Sequence, residues 1–556
     1  MIFPKQSQSD SFFSQNKATK KIQNKYFVTL IALYCISYGL SLVNDGIYWD
    51  DWCLVDHDRQ TLKTMFSMAG FPWIGEYHYF LNQLALPVLS YRLIVFLAYF
   101  ISGLCLLQIL KTIPGLHNVE SLSVVGLFWV FPINSARITL ICSPYAICFL
   151  AFWLGYYFFV RGLAGGTQPI YLLLSVPLFW FSMWTASLMA FMALPAIHLL
   201  FVFLKTDLQW SDRLKKYILF FAVFLLPIIF FTYKQHYFNP HGIYEGYNKL
   251  TWIHLKDSYK HFEPSFLNCF VGAMSWSSEI AKKVSLYLNL KSLLCLSLLL
   301  VIFLKNKTIV SGLLLMAGAV TWILGAFPYN CIGEITQWEW ATRNQLLLGL
   351  GSALILVGII DLFAQGIKAA SPRLILPIKI FLTILLSAIF TKQNLEKEAD
   401  FYIDWQKQLS IMSAFQNSQE VKKGTLFMFL DEAKILDAFP RSYRWYEYCG
   451  MFRRIFHDAS RFGVLADVKT ESGILSGEYF NEKNNEIMKC YKYKEYNFSE
   501  FQPVNKYLRM RISTSEAANH IAEKKVISCL KLIRLSIFAP QEYGNVVRSL
   551  VEVKSY

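Results

Sequence analysis

The residues best suited by type to do chemistry are two adjacent carboxylates, Asp50 and Asp51, in the run Asn44-Asp45-Gly46-Ile47-Tyr48-Trp49-Asp50-Asp51-Trp52. Crowded carboxylates raise one another's pKa or recruit a cation. Either can take a proton from a hydroxyl held within hydrogen-bond reach. Trp49 and Trp52 flank the pair, and indole rings hold a loop at the headgroup level of a bilayer. The run directly follows an apolar stretch, at the depth where a buried tail would hold a lipid-linked phosphate. A solvated acidic turn with Trp anchors is the plainer alternative.

A reacting phosphate held at the headgroup plane calls for positive charge aimed at it. Arg343, in Trp338-Glu339-Trp340-Ala341-Thr342-Arg343, is the leading candidate, with a snorkelling Arg paired to Glu339 as the alternative. Arg92 falls inside an apolar run, where a charge costs at least roughly 2.5 kcal/mol at a helix centre, so it must face a polar cavity or an acid. It serves a donor phosphate or the structure. Arg137, in Pro132-Ile133-Asn134-Ser135-Ala136-Arg137, is read the same way. Lys234 and His236 open a long loop and could reach a headgroup. Glu76 and His78, in Gly75-Glu76-Tyr77-His78-Tyr79, extend an acceptor site or join the aspartates around a divalent metal. The aromatic and charged run Tyr443-Arg444-Trp445-Tyr446-Glu447-Tyr448 could stack on sugar rings or form a core edge.

The elements that must position these residues are membrane elements. The chain has 556 residues, 55% hydrophobic and only 16% charged, against roughly 25% charged in soluble proteins, which excludes a soluble globular enzyme. Apolar stretches near the roughly 20 residues that cross a bilayer lie at about 26–43, 84–110, 119–136, 143–160, 169–184, 187–204, 216–233, 286–304, 309–327, 341–361 and 374–391. The expected fold is a polytopic α-helical membrane protein of about eleven spans. Arg161 to Lys205 would make a single helix of roughly 60 Å, so it must turn back as a hairpin. Lys5, Lys17, Lys20, Lys21 and Lys25 precede an uncleaved first span. They share one side with Lys111, Arg161, Lys205, Arg213, Lys215, Lys216, Lys305, Lys307, Lys368 and Arg373, which makes that side cytoplasmic. Net charge of +15 is then mostly a topology signal, and no nucleic-acid partner is needed to explain it.

This puts the N-terminus inside, and loops 44–83, 234–285 and 328–340 outside together with everything after about 391. Residues 1–390 form the membrane domain and 391–556 an extracytoplasmic mixed α/β domain. In that domain Phe401, Trp405, Leu409 and Met412 recur at helical spacing as a core stripe. Thr425–Leu430 reads as a buried strand, Leu508, Met510 and Ile512 as an alternating one, and Val526–Phe538 and Val547–Lys554 as strands too. The 11 Cys include no C-x-x-C pair and read mostly as apolar fillers. Gly162–Gly166 lacks the Lys of a phosphate-binding loop and reads as a cytoplasmic turn.

A basic N-terminus, one span, an outer loop opening on paired acids, many further spans and an external C-terminal domain together resemble the GT-C glycosyltransferases. Tyr48-Trp49-Asp50-Asp51-Trp52 is similar to the D-D-W element of bacterial O-antigen-modifying glucosyltransferases, although no Arg follows until Arg59. The resemblance implies an inverting transferase that takes a sugar from a polyprenyl-phosphate donor and gives it to a cell-surface glycan or glycolipid. Membrane lipid would be a further partner and the bacterial inner membrane the location. It implies Asp50 as general base, Asp51 as its helper or a cation ligand, and Arg343 at the leaving phosphate. Two alternatives stay open. An O-antigen polymerase or ligase would use His236, His241, His254 and His261 of the long loop. A transporter or flippase of lipid-linked glycans would need acids within the spans, where Asp361 stands only at an end.

Overall fold

The structure, a computed structural model, describes residues 7–163, 169–205, 210–246, 250–274, 309–334, 339–367, 371–439, 441, 443–458, 461–465, 480–481, 486–487 and 508–555. These are mostly helical. Among the described residues, six helices are long and apolar enough to cross a membrane: Lys21–Val43, Pro87–Leu110, Leu140–Leu163, Val310–Asn330, Leu348–Ile367 and Ile375–Asn417. Three expected spans fall on shorter apolar pieces, with helices Asn118–Val130, Pro169–Ser182 and Leu188–Leu199. The stretch 216–233 lies inside helix Trp210–Tyr237, and 286–304 lies outside the described residues.

The shortening at 119–136 has a local cause that matters for the site. Pro132 has no N–H to continue the ladder, and Asn134 adopts a left-handed φ of 54°. The helix therefore stops at Val130. Its last carbonyl is met by the Asn394 side chain at 2.7 Å. The chain then continues as two short 3₁₀ turns, Ser135–Ile138 and Leu140–Cys142, before the next long helix. Irregular backbone of this kind is tolerated at membrane depth only where protein buries it or a cavity hydrates it.

Polar contacts fix the bundle register. Ser37 donates to Thr391 at 3.0 Å, Tyr26 and Ser123 are 2.8 Å apart, and Thr383 donates to Ser123 at 3.2 Å. Lys379 pairs with Glu120 at 2.7 Å and also with Asp361. Helices Ile309–Asn330 and Leu348–Ile367 approach closely, since a Cβ on Gly351 would stand 2.6 Å from the Trp322 backbone nitrogen.

The expected boundary near 391 falls inside one continuous helix, Ile375–Asn417. At 1.5 Å per residue it is about 65 Å long, roughly twice the hydrocarbon thickness. Its far half becomes the spine of the second domain. Phe401, Trp405 and Met412 are buried there with Leu409 packed beside them, among Phe427, Phe429, Tyr448, Phe452, Met510 and Ile512. The sheet runs β2 (Phe462–Leu465), β1 (Leu426–Asp431), β5 (Leu508–Thr514), β6 (Val551–Ser555), with β1 parallel to both neighbours and β6 antiparallel. A separate two-residue pair joins β3 (Phe480–Asn481) to β4 (Glu486–Ile487). At the carboxyl end of β1, the fully buried Lys407 ammonium bonds Asp431 at 2.8 Å and Asp437 at 2.6 Å, tying the sheet to the long helix.

Two expected strands are corrected. Lys525–Phe538 is a helix, because its apolar residues divide between a buried face at Cys529 and Leu532 and an exposed opposite face, a 3.6-residue pattern that Val526, Ile527 and Ile533 disguise as β-branched strand. In Val547–Lys554 only the part from Val551 is strand, and Val547 closes helix Pro540–Arg548.

Trp52 lies in the second domain's core against Gly450, where a Cβ would stand 2.5 Å from the indole. Gly450→Leu should therefore weaken docking of the acidic loop by about 1–3 kcal/mol. Native-state hydrogen exchange at 49–53 should accelerate accordingly while the bundle helices stay protected; unchanged exchange would refute the docking.

Candidate active site

The acidic loop is held on every side. The Asn44 side-chain oxygen accepts from the Gly46 N–H at 2.9 Å, and the Tyr48 hydroxyl donates between Asn44 at 3.0 Å and the Phe401 carbonyl at 2.5 Å. Trp49 stacks on Phe439 with centroids 5.5 Å apart and meets Trp340 edge-on at 4.9 Å. The Arg441 guanidinium lies 5.3 Å from its ring centroid. Trp49 itself has φ of 50°, a left-handed conformation that costs a bulky residue about 1–3 kcal/mol and persists only where neighbours over-determine it. The residue after this strained position is Asp50.

The two aspartates have different environments. Asp51 is fully buried, and its oxygens accept from the backbone N–H groups of Leu140 at 2.9 Å, Ile141 at 2.9 Å and Tyr48 at 3.2 Å. It binds the acidic loop to the 3₁₀ segment after the broken helix, with both oxygens engaged by backbone donors. Asp50 is half-buried, with no hydrogen-bond or ion-pair partner among the described residues. It lies within electrostatic reach of Cys53, Cys142 and Tyr446.

Arg343 comes to the same place. Cys142 is within electrostatic reach of Arg343, Asp51 and Asp50 together. The Arg343 guanidinium stands 4.7 Å from the centroid of Trp340, the ring that meets Trp49. Thr342 accepts from the Ala136 N–H at 3.0 Å and lies 3.1 Å from the Ser135 hydroxyl, locking the Arg343 segment to the broken-helix segment. Three stretches far apart in sequence, around Asp50, Cys142 and Arg343, thus converge.

Beside them is a cavity of about 810 Å³ between the bundle and the second domain. Its wall includes Thr342 and Phe439, the neighbours of Arg343 and Trp49, together with Arg137, Gln345 and Lys397. Asp50 and Arg343 are not in its wall, which reaches their segments through Thr342 and through Phe439 stacked on Trp49. Arg137 lies 3.1 Å from the Tyr38 ring centroid and faces the buried Glu398, which also faces Arg92. Arg92 donates to the Gly46 carbonyl at 2.8 Å, bracing the acidic loop from below. Nε and one terminal nitrogen of Arg92, a terminal nitrogen of Arg137 and one Glu398 oxygen are buried without hydrogen-bond partners.

The other expected site residues have other partners. Glu76 is half-buried and paired with Arg59 at 2.8 Å. His78 is sealed between Phe66 and Tyr91, its Nδ1 2.9 Å from the Tyr91 hydroxyl, and burial holds its imidazole down to about 3, neutral at pH 7. Neither bonds to the aspartates, and among the described residues no three His, Cys, Asp or Glu side chains are grouped to hold a metal. The Lys234 ammonium sits 3.8 Å from the Phe71 ring centroid, and His236 lies exposed against Tyr237. In the run Tyr443–Tyr448, Tyr443 and Tyr448 are core residues and Glu447 takes a bidentate bond from Arg441 at 2.6 Å, so the core-edge alternative holds for them. Glu398 was not legible in sequence, since it sits in a mixed polar run with several equivalent acids. Neither a family model nor a curated protein matches the chain.

Burial pushes the Asp51 carboxyl up to about 7 against the pull of its three N–H donors. The folded chain then holds this proton more tightly than the unfolded chain does. Its contribution favours the fold at acid pH and is lost as pH rises from near 3.8 through about 7. Thermal unfolding should move to lower temperature across that interval, and Asp51→Asn should flatten this part of the profile. An equally steep profile in Asp51→Asn would refute the assignment.

Proposed function

We propose that the chain is an inverting glycosyltransferase. It moves a sugar from a polyprenyl-phosphate donor to a cell-surface glycan or glycolipid at the outer face of a bacterial inner membrane. The observation that carries this reading is the Asp50 carboxylate, which follows a strained Trp49, has no hydrogen-bond or ion-pair partner among the described residues and shares electrostatic reach of Cys142 with Arg343.

In this reading the acceptor hydroxyl approaches Asp50, which takes its proton as the oxygen attacks the anomeric carbon. The new carbon–oxygen bond forms as the bond to the lipid phosphate breaks on the opposite face, inverting the centre. The phosphate departs with its electron pair, and the Arg343 guanidinium neutralises the charge that develops on it. Asp51 acts through backbone: it fixes Tyr48 and Leu140–Ile141, so Asp50 and the Arg343 segment keep one geometry. The cavity is large enough for a sugar phosphate, and its wall balances Arg137, Lys397, Lys524 and Lys525 against Glu396, Glu398, Asp400 and Glu523.

The test is incubation of the purified full chain with labelled polyprenyl-phosphate monosaccharides and a panel of glycan acceptors. Transfer from a monosaccharyl phosphate, with inversion read by NMR, is expected. Consumption of only oligosaccharyl diphosphate donors would point to a polymerase or ligase, and lipid-glycan flux across vesicles without a product would point to a flippase. Either result would overturn the proposal.

A further inference from the structure

Helix Lys525–Phe538 has two faces of different character. Cys529 and Leu532 are buried and, with Val526 and Ile533, cluster with Ala399 and Tyr402 of the long helix and with Leu40 at the end of the first span. Lys525 bonds Asp400 at 2.9 Å and fixes the start of the helix. The opposite face exposes Ile527 (67%), Leu530 (56%), Ile537 (64%) and Phe538 (80%). Lys531 and Arg534 are interleaved with them, and Lys524 precedes them, all three exposed and without an ion pair among the described residues. Exposed apolar side chains with long basic ones interleaved, whose stems lie along apolar surface while their charges reach outward, suit a membrane interface.

The height of this helix can be read from the bundle. The Ser37–Thr391 bond sets the first span and the long helix side by side at one level. From there Ala399 and Tyr402 rise by about 12–17 Å. The first span itself runs on through a 3₁₀ turn to an exposed Val43, about 11 Å above Ser37. The helix therefore meets the long helix within a few ångströms of the end of the apolar span. A headgroup layer is roughly 5–8 Å thick on each side, so this is its depth. The buried face from Val526 to Ile533 covers two turns but clusters with one turn of the long helix and with Leu40, which sets it across the spans and not along them.

We infer that helix Lys525–Phe538 rests in the headgroup layer of an anionic bilayer surface. Ile527, Leu530, Ile537 and Phe538 reach the acyl boundary, and Lys524, Lys531 and Arg534 meet lipid phosphates. Lys524, Lys525, Val526 and Ile527 also line the 810 Å³ cavity. The element that contacts lipid is thus also the lip of that cavity, past which a lipid-tailed molecule could enter. The inference is independent of the reaction proposed above.

The test uses the full chain in nanodiscs of phosphatidylcholine with and without phosphatidylglycerol. Hydrogen exchange over 525–538 should slow by about fivefold or more when the anionic lipid is present. The exposed-site double variant Lys531→Gln/Arg534→Gln should lose most of that difference. A benzoylphenylalanine photocrosslinker in place of Phe538 should capture phospholipid. Equal exchange in both nanodiscs, or crosslinks only to a second copy of the chain, would overturn the inference.

Discussion

Asp50→Asn should reduce sugar transfer by about 10²–10⁴-fold, the range a positioned general base contributes. The fall should appear in kcat, with little change in KM. Asn is nearly isosteric with Asp, and among the described residues Asp50 makes no bond that holds the fold, so the melting temperature and the exchange pattern of 44–53 should match wild type. Asp51→Asn makes the useful contrast. An amide offers one oxygen where the carboxylate offers two, and it turns an N–H toward a backbone N–H. The expected cost is about 1–3 kcal/mol of loop stability, from a buried donor left unmet. A variant that loses activity with stability intact and a neighbour that loses both would separate the base from its bracket.

Arg343→Gln should lower kcat by about 10²–10³-fold, the loss typical when one group that stabilises developing charge is removed. Its segment is fastened by Thr342 and Gln345 to residues 134–136, so the backbone should survive the change. The diagnostic readout is leaving-group dependence. If Arg343 neutralises the departing phosphate, the variant should suffer most with donors whose leaving group is the stronger base. Arg343→Lys keeps the charge without the planar fork and its stacking on Trp340, so it should recover part of the rate. Equal losses with good and poor leaving groups would make Arg343 a structural residue.

Much of the architecture was legible because burial in a bilayer forces long apolar runs. Among the described residues, the helices at 87–110 and 310–330 lie where those runs do, whereas the run at 341–361 opens in the 3₁₀ turn Glu339–Gln345 and its helix is shifted to 348–367. The break after Val130 was harder to read, since Pro132 and Asn134 are embedded in apolar sequence and a hydropathy window passes over them. That break matters most for the site, because it delivers the Leu140 and Ile141 N–H groups to Asp51. Lys525–Phe538 was misread for a related reason: a helix with lipid on one face and protein on the other shows no clean polar stripe. In the site, the aspartate pair and Arg343 could be singled out by type and position. Their unequal environments could not, because nothing in two adjacent Asp residues tells which one faces three backbone donors. Glu76, His78, Lys234 and His236 stood out on chemical type alone; tertiary packing gave the first three other partners, and His236 lies exposed against its neighbour Tyr237.

The most direct measurement places wild type and Asp50→Asn in sealed vesicles whose tritiated polyprenyl-phosphate sugar is confined to one leaflet at a time, with acceptor on the same side. Wild type should release polyprenyl phosphate only when the donor occupies the leaflet at the Asp50 end of the bundle, and Asp50→Asn should release almost none from either. Full transfer by Asp50→Asn, or wild-type transfer from the opposite leaflet alone, would contradict a sugar transfer initiated by Asp50 at that surface.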